Sequence, residues 1–162
     1  MYQDEKELLR AKKDQLEGLI LFLPSGIVVD QFQHWMYENP NHTSKERSEK
    51  YMELSRTYDS SYVDWTGQEE WIQNNWQLIL HIFEVPFYYI EYVIAQLGAI
   101  QMYRQYRENP EQALENYNRA LSLGSSVSLS EVYEAAGIHF DFSEPMIKGL
   151  MDFISAELEE LS

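Results

Sequence analysis

Residues 87–107 form one long apolar stretch whose only breaker is Gly98 and whose only charge before Tyr103 is Glu91. A helix that is apolar nearly all round is normally buried on every side. The rest of the chain is therefore expected to wrap around this segment. No alternation of apolar and polar residues long enough for a strand occurs anywhere. Gly (7) and Pro (5) make up about 7% of the 162 residues, against roughly 12% in an average protein. Few breakers and no strand pattern predict an all-α fold of six to eight helices, in a single domain over residues 1–162.

The remaining helices are placed by their start and stop signals. Leu9, Leu16 and Leu23, with Leu19 and Ile20, make an apolar stripe over residues 4–23. Pro24-Ser25-Gly26 breaks or kinks it, the pattern resumes to about Tyr37, and Asn39-Pro40-Asn41 ends it. Thr43 and Glu46 have the spacing of a capping box, which predicts a helix to about Tyr58. Residues 59–68 read as a loop and 69–80 as a short helix carrying Trp71 and Trp76. Asn109-Pro110 opens the next helix and Gly124 closes it. Ser128 and Glu131 are a second capping box, for a helix ending at Gly137. Ser143 or Glu144, followed by Pro145, starts a last helix to about Leu161. Residues 111–123 resemble one helix of a tetratricopeptide repeat, but no second copy lies about 34 residues away.

Charge removes whole classes of partner. Lys plus Arg is 12, Asp plus Glu is 27, and the formal net charge is −15. Nucleic-acid backbones and acidic membrane leaflets both require a basic face, and no basic cluster here outweighs its acidic neighbours. Residues 78–100 are mostly apolar, but His81, Glu84, Pro86 and Glu91 make them costly at the centre of a bilayer. They read as a buried helix and its lead-in. Cysteine is absent, which excludes disulfides and thiolate-held zinc. Asp4, Glu5, Lys6 and Glu7 follow Met1 with no apolar run, so no signal peptide is expected and the expected compartment is the cytoplasm.

Chemistry concentrates in residues 81–92. His81 and Glu84 precede Pro86, and Tyr88, Tyr89 and Tyr92 follow it. On a helix Tyr88 and Tyr92 share a face, with Tyr89 about 100° round. Buried phenols need partners, so these residues form either a polar network at a wet cavity or core aromatics bonded to backbone carbonyls. Asp30, His34 and Glu38, each four apart, have metal-compatible spacing, which on a surface helix is ordinarily a solvated column. His42 and His139 read as structural. No glutamate directly follows any of the 4 histidines, so His-Glu-x-x-His is absent, as are a P-loop, a nucleophile elbow and a dinucleotide fingerprint.

Three blocks, in order, resemble oligoendopeptidase F, of the thimet-type zinc oligopeptidases. They are FLPSGIVVDQFQHWMYENP at 22–40, HIFEVPFYYIEY at 81–92, and Ala135-Ala136-Gly137-Ile138. The resemblance runs over essentially the whole chain and concerns only the C-terminal part of that family. It implies the helical C-terminal portion of the thimet oligopeptidase-like, zincin-related fold. In the family, zinc is held by the histidines of His-Glu-x-x-His and a later glutamate, all N-terminal to the matching part. The resemblance therefore implies no cofactor or metal site on this chain, zinc in the complete enzyme, and no activity from the chain alone.

The same resemblance implies a substrate-side role. His81 would hydrogen-bond the substrate backbone near the scissile bond, and Tyr88, Tyr89 and Tyr92 are the candidates for stabilising the tetrahedral oxyanion. The expected partners are short peptides, an N-terminal zinc-bearing fragment, and a second copy of the chain through surface left uncovered. The competing expectation is a stand-alone helical module that binds peptides or proteins without catalysis.

Overall fold

The computed structural model describes residues 4–58 and 63–161, so the loop expected at 59–68 lies partly outside the described residues. The elements are α1 (Glu5–Glu38), α2 (Ser44–Tyr58), α3 (Glu69–Asn74), a 3₁₀ turn (Asn75–Leu78), α4 (His81–Glu84), α5 (Ile90–Glu108), α6 (Pro110–Leu123), α7 (Leu129–Ala135) and α8 (Glu144–Glu160). No strand occurs among the described residues, and the all-α class holds. No helix among them is long and apolar enough to cross a membrane.

Local capping explains most boundaries. The Thr43 amide donates to Glu46 Oε2 at 2.8 Å and the Glu46 amide donates back to Thr43 Oγ1 at 3.2 Å, which starts α2. Ser128 and Glu131 close the same reciprocal pair at α7. Asn109 accepts the Gln112 amide ahead of Pro110 at the start of α6.

Three boundaries differ from the sequence pattern. α1 runs unbroken through Pro24, where Ser25 Oγ donates to the Phe22 carbonyl at 2.7 Å. Pro24 removes one helical donor, and the apolar residues on either side keep the helix going. The helix expected over 69–80 gives way to a 3₁₀ turn after Asn74 and has no side-chain cap at Gln68. α5 starts at Ile90 rather than 87, because Pro86 and Phe87 form a turn. Nor is α5 buried all round. Val93, Leu97 and Ile100 are in the core, whereas Glu91, Tyr92, Ala95 and Ala99 are exposed.

The chain divides into two compact units, one being Leu21–Val93 and the other the residues up to Ile20 with those from Ile94 onward. In Leu21–Val93 the core is Val28, Val29, Phe32, Tyr51, Trp76 and Ile82, with Trp35, Met36, Leu54, Ile79 and Tyr89 packed on it. Aromatic edges set its geometry. Phe32 meets Tyr51 at 5.0 Å and Trp76 at 5.6 Å. The Arg47 guanidinium lies 5.4 Å from the Trp76 ring centroid and donates through Nε to His42 Nε2 at 2.9 Å. His42 thus joins the α1–α2 connection to the core.

In the other unit Ile100, Leu150 and Ile154 are fully buried, and Ala120, Tyr133, Ala136 and Ile138 form a further apolar cluster, with polar clasps around them. Gln101 donates to the His139 carbonyl and accepts the His139 amide, both at 2.9 Å. Gly98 is required by close packing. A Cβ there would lie 2.7 Å from the Tyr133 hydroxyl oxygen, and that hydroxyl donates to the Ile94 carbonyl at 3.0 Å. Glu157 accepts Tyr103 at 2.6 Å and Arg107 Nε at 2.9 Å, which ties α8 to α5.

Candidate functional site

The site lies within Leu21–Val93 and is built from α4, the turn after it, and the first turn of α5. His81 begins the short α4. The chain then reverses at Pro86-Phe87, where the Tyr88 amide donates to the Val85 carbonyl at 3.2 Å. Phe87 has φ 63. Proline at the second position and positive φ at the third is the pattern of a type II turn, whose third position favours glycine or asparagine. A residue with a Cβ pays roughly 1–2 kcal/mol to sit there. Two contacts hold it in place. The Phe87 amide donates to Gln33 Oε1 at 3.3 Å, and its ring packs on His34 at 4.9 Å and Tyr37 at 5.0 Å.

The turn brings all four predicted residues together. His81 Nε2 and the Tyr92 hydroxyl share a hydrogen bond of 3.1 Å. The His81 and Tyr88 rings are parallel to within 1°, centroids 6.2 Å apart. Tyr89 and Tyr92 present to the imidazole edgewise at 5.2 and 5.4 Å, and Tyr88 meets Tyr92 at 5.5 Å. Tyr88 and Tyr89 precede α5, and their carbonyls accept the Glu91 and Tyr92 amides at 3.0 and 3.2 Å, so the tight winding that leads into the helix brings Tyr88 beside Tyr92.

Exposure divides the tyrosines. Tyr88 and Tyr92 are 42% and 41% exposed, so neither is a core aromatic. Tyr89 is half-buried against the core and lies 6.1 Å from Phe22. Burial, and then the neighbouring Tyr92, push its phenol pKa up, so its hydroxyl keeps its proton across the neutral range. The cluster thus offers two phenols to solvent beside a half-buried imidazole, backed by a third phenol.

The Asp30, His34 and Glu38 column does not close into a metal site. His34 Nε2 lies 3.7 Å from Asp30 Oδ2, and the His34 ring is packed on Phe87. Among the described residues, no three or more His, Asp or Glu side chains could together hold a metal ion. The donor set here does not fit a zinc centre.

Gln33 and Phe87 were not legible as site residues. Pro86 signals a turn, but no local signal places positive φ on a phenylalanine or pairs it with a glutamine 54 residues away.

A half-buried imidazole thus stands beside two exposed phenols on an all-helical scaffold. Comparison with known proteins gives its class. Residues 1–152 match the model of peptidase family M3, and the chain belongs to that family. Two solved structures share its fold. One is an X-ray structure of a protein assigned as oligoendopeptidase F, with TM-score 0.81 and 30% identity over 93% of this chain. The other is PZ peptidase A, solved with an inhibitor, with TM-score 0.81 and 31% identity over 92% of this chain. The chain spans 26% of the length of each. No curated protein matches it.

Proposed function

We propose that this chain is the substrate-side part of an M3 zinc endopeptidase that hydrolyses short peptides. The observation that carries this reading is the hydrogen-bonded His81–Tyr92 pair, with Tyr92 and the neighbouring Tyr88 exposed. His81 hydrogen-bonds the peptide backbone near the scissile bond. Tyr88 and Tyr92 are the candidate donors to the oxygen that gains charge when the carbonyl is attacked, and Tyr89 backs them. Such donors act by binding the transition state more strongly than the substrate. Zinc belongs on this reading to the complete enzyme and not to these residues. The chain by itself is expected to be inactive. Its proposed partners are short peptides, the zinc-bearing part of the enzyme and, through uncovered apolar surface, a second copy of itself. A cytoplasmic location belongs to the same proposal.

The test is kinetic, in the enzyme that unites this chain with its zinc-bearing part. His81→Ala and Tyr92→Phe should lower kcat far more than they raise KM. An effect on KM alone would instead support a peptide-binding module without catalysis. Stoichiometric zinc and peptide cleavage by the purified chain would overturn the expected inactivity.

A further inference from the structure

Gln33 is among the most deeply buried side chains of the chain, at 0% exposure, yet half of its amide is unused. Its Oε1 accepts the Phe87 amide at 3.3 Å, while its Nε2 has no hydrogen-bond partner. Burying an unpaired amide donor is costly, and an apolar side chain of the same length would avoid that cost. Phe87 carries a second cost, a left-handed backbone on a residue with a bulky Cβ substituent. The two meet at one hydrogen bond. Phe87 is the turn residue directly before Tyr88, and the turn separates His81 from Tyr92. Unfavourable local choices that persist together are expected where the surroundings hold a geometry for use.

We propose that Gln33 is a positioning residue for the His81–Tyr88–Tyr92 cluster. By accepting the Phe87 amide it selects the left-handed form of the turn and so sets the register in which Tyr88 lies parallel to His81 and Tyr92 reaches His81 Nε2. Without that acceptor, Phe87 relaxes toward negative φ, and the peptide units on either side of it rotate. Both aromatic contacts then change. The functional part of this inference rests on the substrate-side reading of the cluster; the geometric part does not.

The test uses the full chain. Gln33→Met keeps the length and removes both the acceptor and the unpaired donor. Gln33→Asn keeps the amide but withdraws the acceptor by one methylene, and serves if the first variant does not fold. In either variant the His81 ring signals in carbon–proton NMR spectra should shift, because the neighbouring tyrosine rings move, while those of His139 stay. A role in packing alone would lower stability and leave the His81 signals in place. Adding Phe87→Gly, which adopts positive φ without help, should return the His81 signals toward their wild-type positions. Unmoved His81 signals in a folded Gln33 variant would overturn the proposal.

A second measurement separates the two readings. Binding of a blocked hexapeptide to the chain should weaken in Gln33→Met and in His81→Ala alike. Weakening in His81→Ala alone would sink the positioning role and spare the substrate-side reading. Loss in neither, with the His81 signals shifted, would leave Gln33 as a positioning residue of a cluster that does not bind peptides.

Discussion

The two units of the chain treat buried polarity in opposite ways. In the unit that runs from Ile94 onward, the buried polar side chains are paired. Gln101 is clamped to the His139 backbone, Asn116 donates to Gln105 at 2.8 Å, and Glu157 takes two charge-assisted bonds. In Leu21–Val93, two buried side-chain nitrogens, Gln33 Nε2 and Trp76 Nε1, have no partner. The one non-glycine residue with positive φ among the described residues, Phe87, is there too. Buried polar groups are normally satisfied, and violations gather where a structure serves something besides its own stability. The paired unit behaves as scaffold. The unpaired, strained unit is the one that carries the half-buried imidazole and its exposed phenols.

That contrast predicts different consequences for substitutions in each unit. The largest effect is expected at the cluster. In the zinc-competent enzyme, His81→Ala or Tyr92→Phe should reduce kcat by about 10²–10³, the usual cost of one transition-state donor, with little change in the melting temperature. A drop in melting temperature that accounts for the lost rate would erase the distinction between the units.

Next comes Glu157→Ala in the scaffold. It strands the Tyr103 hydroxyl and removes one of the two carboxylates that Arg107 contacts. A loss of about 2–3 kcal/mol in urea unfolding is expected, with peptide affinity unchanged in the variant that remains folded. Gly98→Ala should cost about 1–3 kcal/mol, because the new methyl overlaps the Tyr133 hydroxyl. Tyr133→Phe in the same background should recover part of the loss. No recovery would mean that the overlap is with the Tyr133 ring carbons, 3.0 and 3.3 Å from that Cβ, and not with the hydroxyl.

How much of this was legible in the sequence follows from the range of each interaction. The caps at Thr43, Asn109 and Ser128 use partners three residues away, so their spacing shows them directly. The cluster was legible as a set of residue types, and the resemblance over 81–92 pointed to the same residues. Its geometry was not. Helical spacing put Tyr88 and Tyr92 near one another, as they are, but nothing in the spacing shows the Val85–Tyr88 turn that brings them back to His81. The uninterrupted α1 was also hidden, since proline signals a lost donor but not whether packing on both sides carries the helix through. Apolar composition suggested that α5 is buried all round, but composition does not say which neighbours cover each side, and Ala95 and Ala99 remain exposed.

The smallest effect concerns pH and again separates the units. Burial first, and then the hydrogen bond to Glu157, push the Tyr103 phenol pKa from its ordinary 10.0 up to about 12. The neutral phenol is therefore the form the folded state prefers. For an acid whose pKa is raised on folding, the stabilisation is fully present below the unfolded value and is lost as pH rises through the folded one. The Tyr103 contribution should thus hold to about pH 10 and fade toward pH 12. Tyr103→Phe, which leaves Glu157 still bonded to Arg107, should cost about 1 kcal/mol at neutral pH. Its unfolding free energy should converge with that of the wild type in the alkaline window. Tyrosinate absorbance supplies the direct check: one phenol fewer should titrate at the alkaline end in the variant. A missing phenol that titrates near pH 10 instead would show that the Tyr103–Glu157 clasp is open in solution, and the scaffold would lose one of the paired contacts that set it apart.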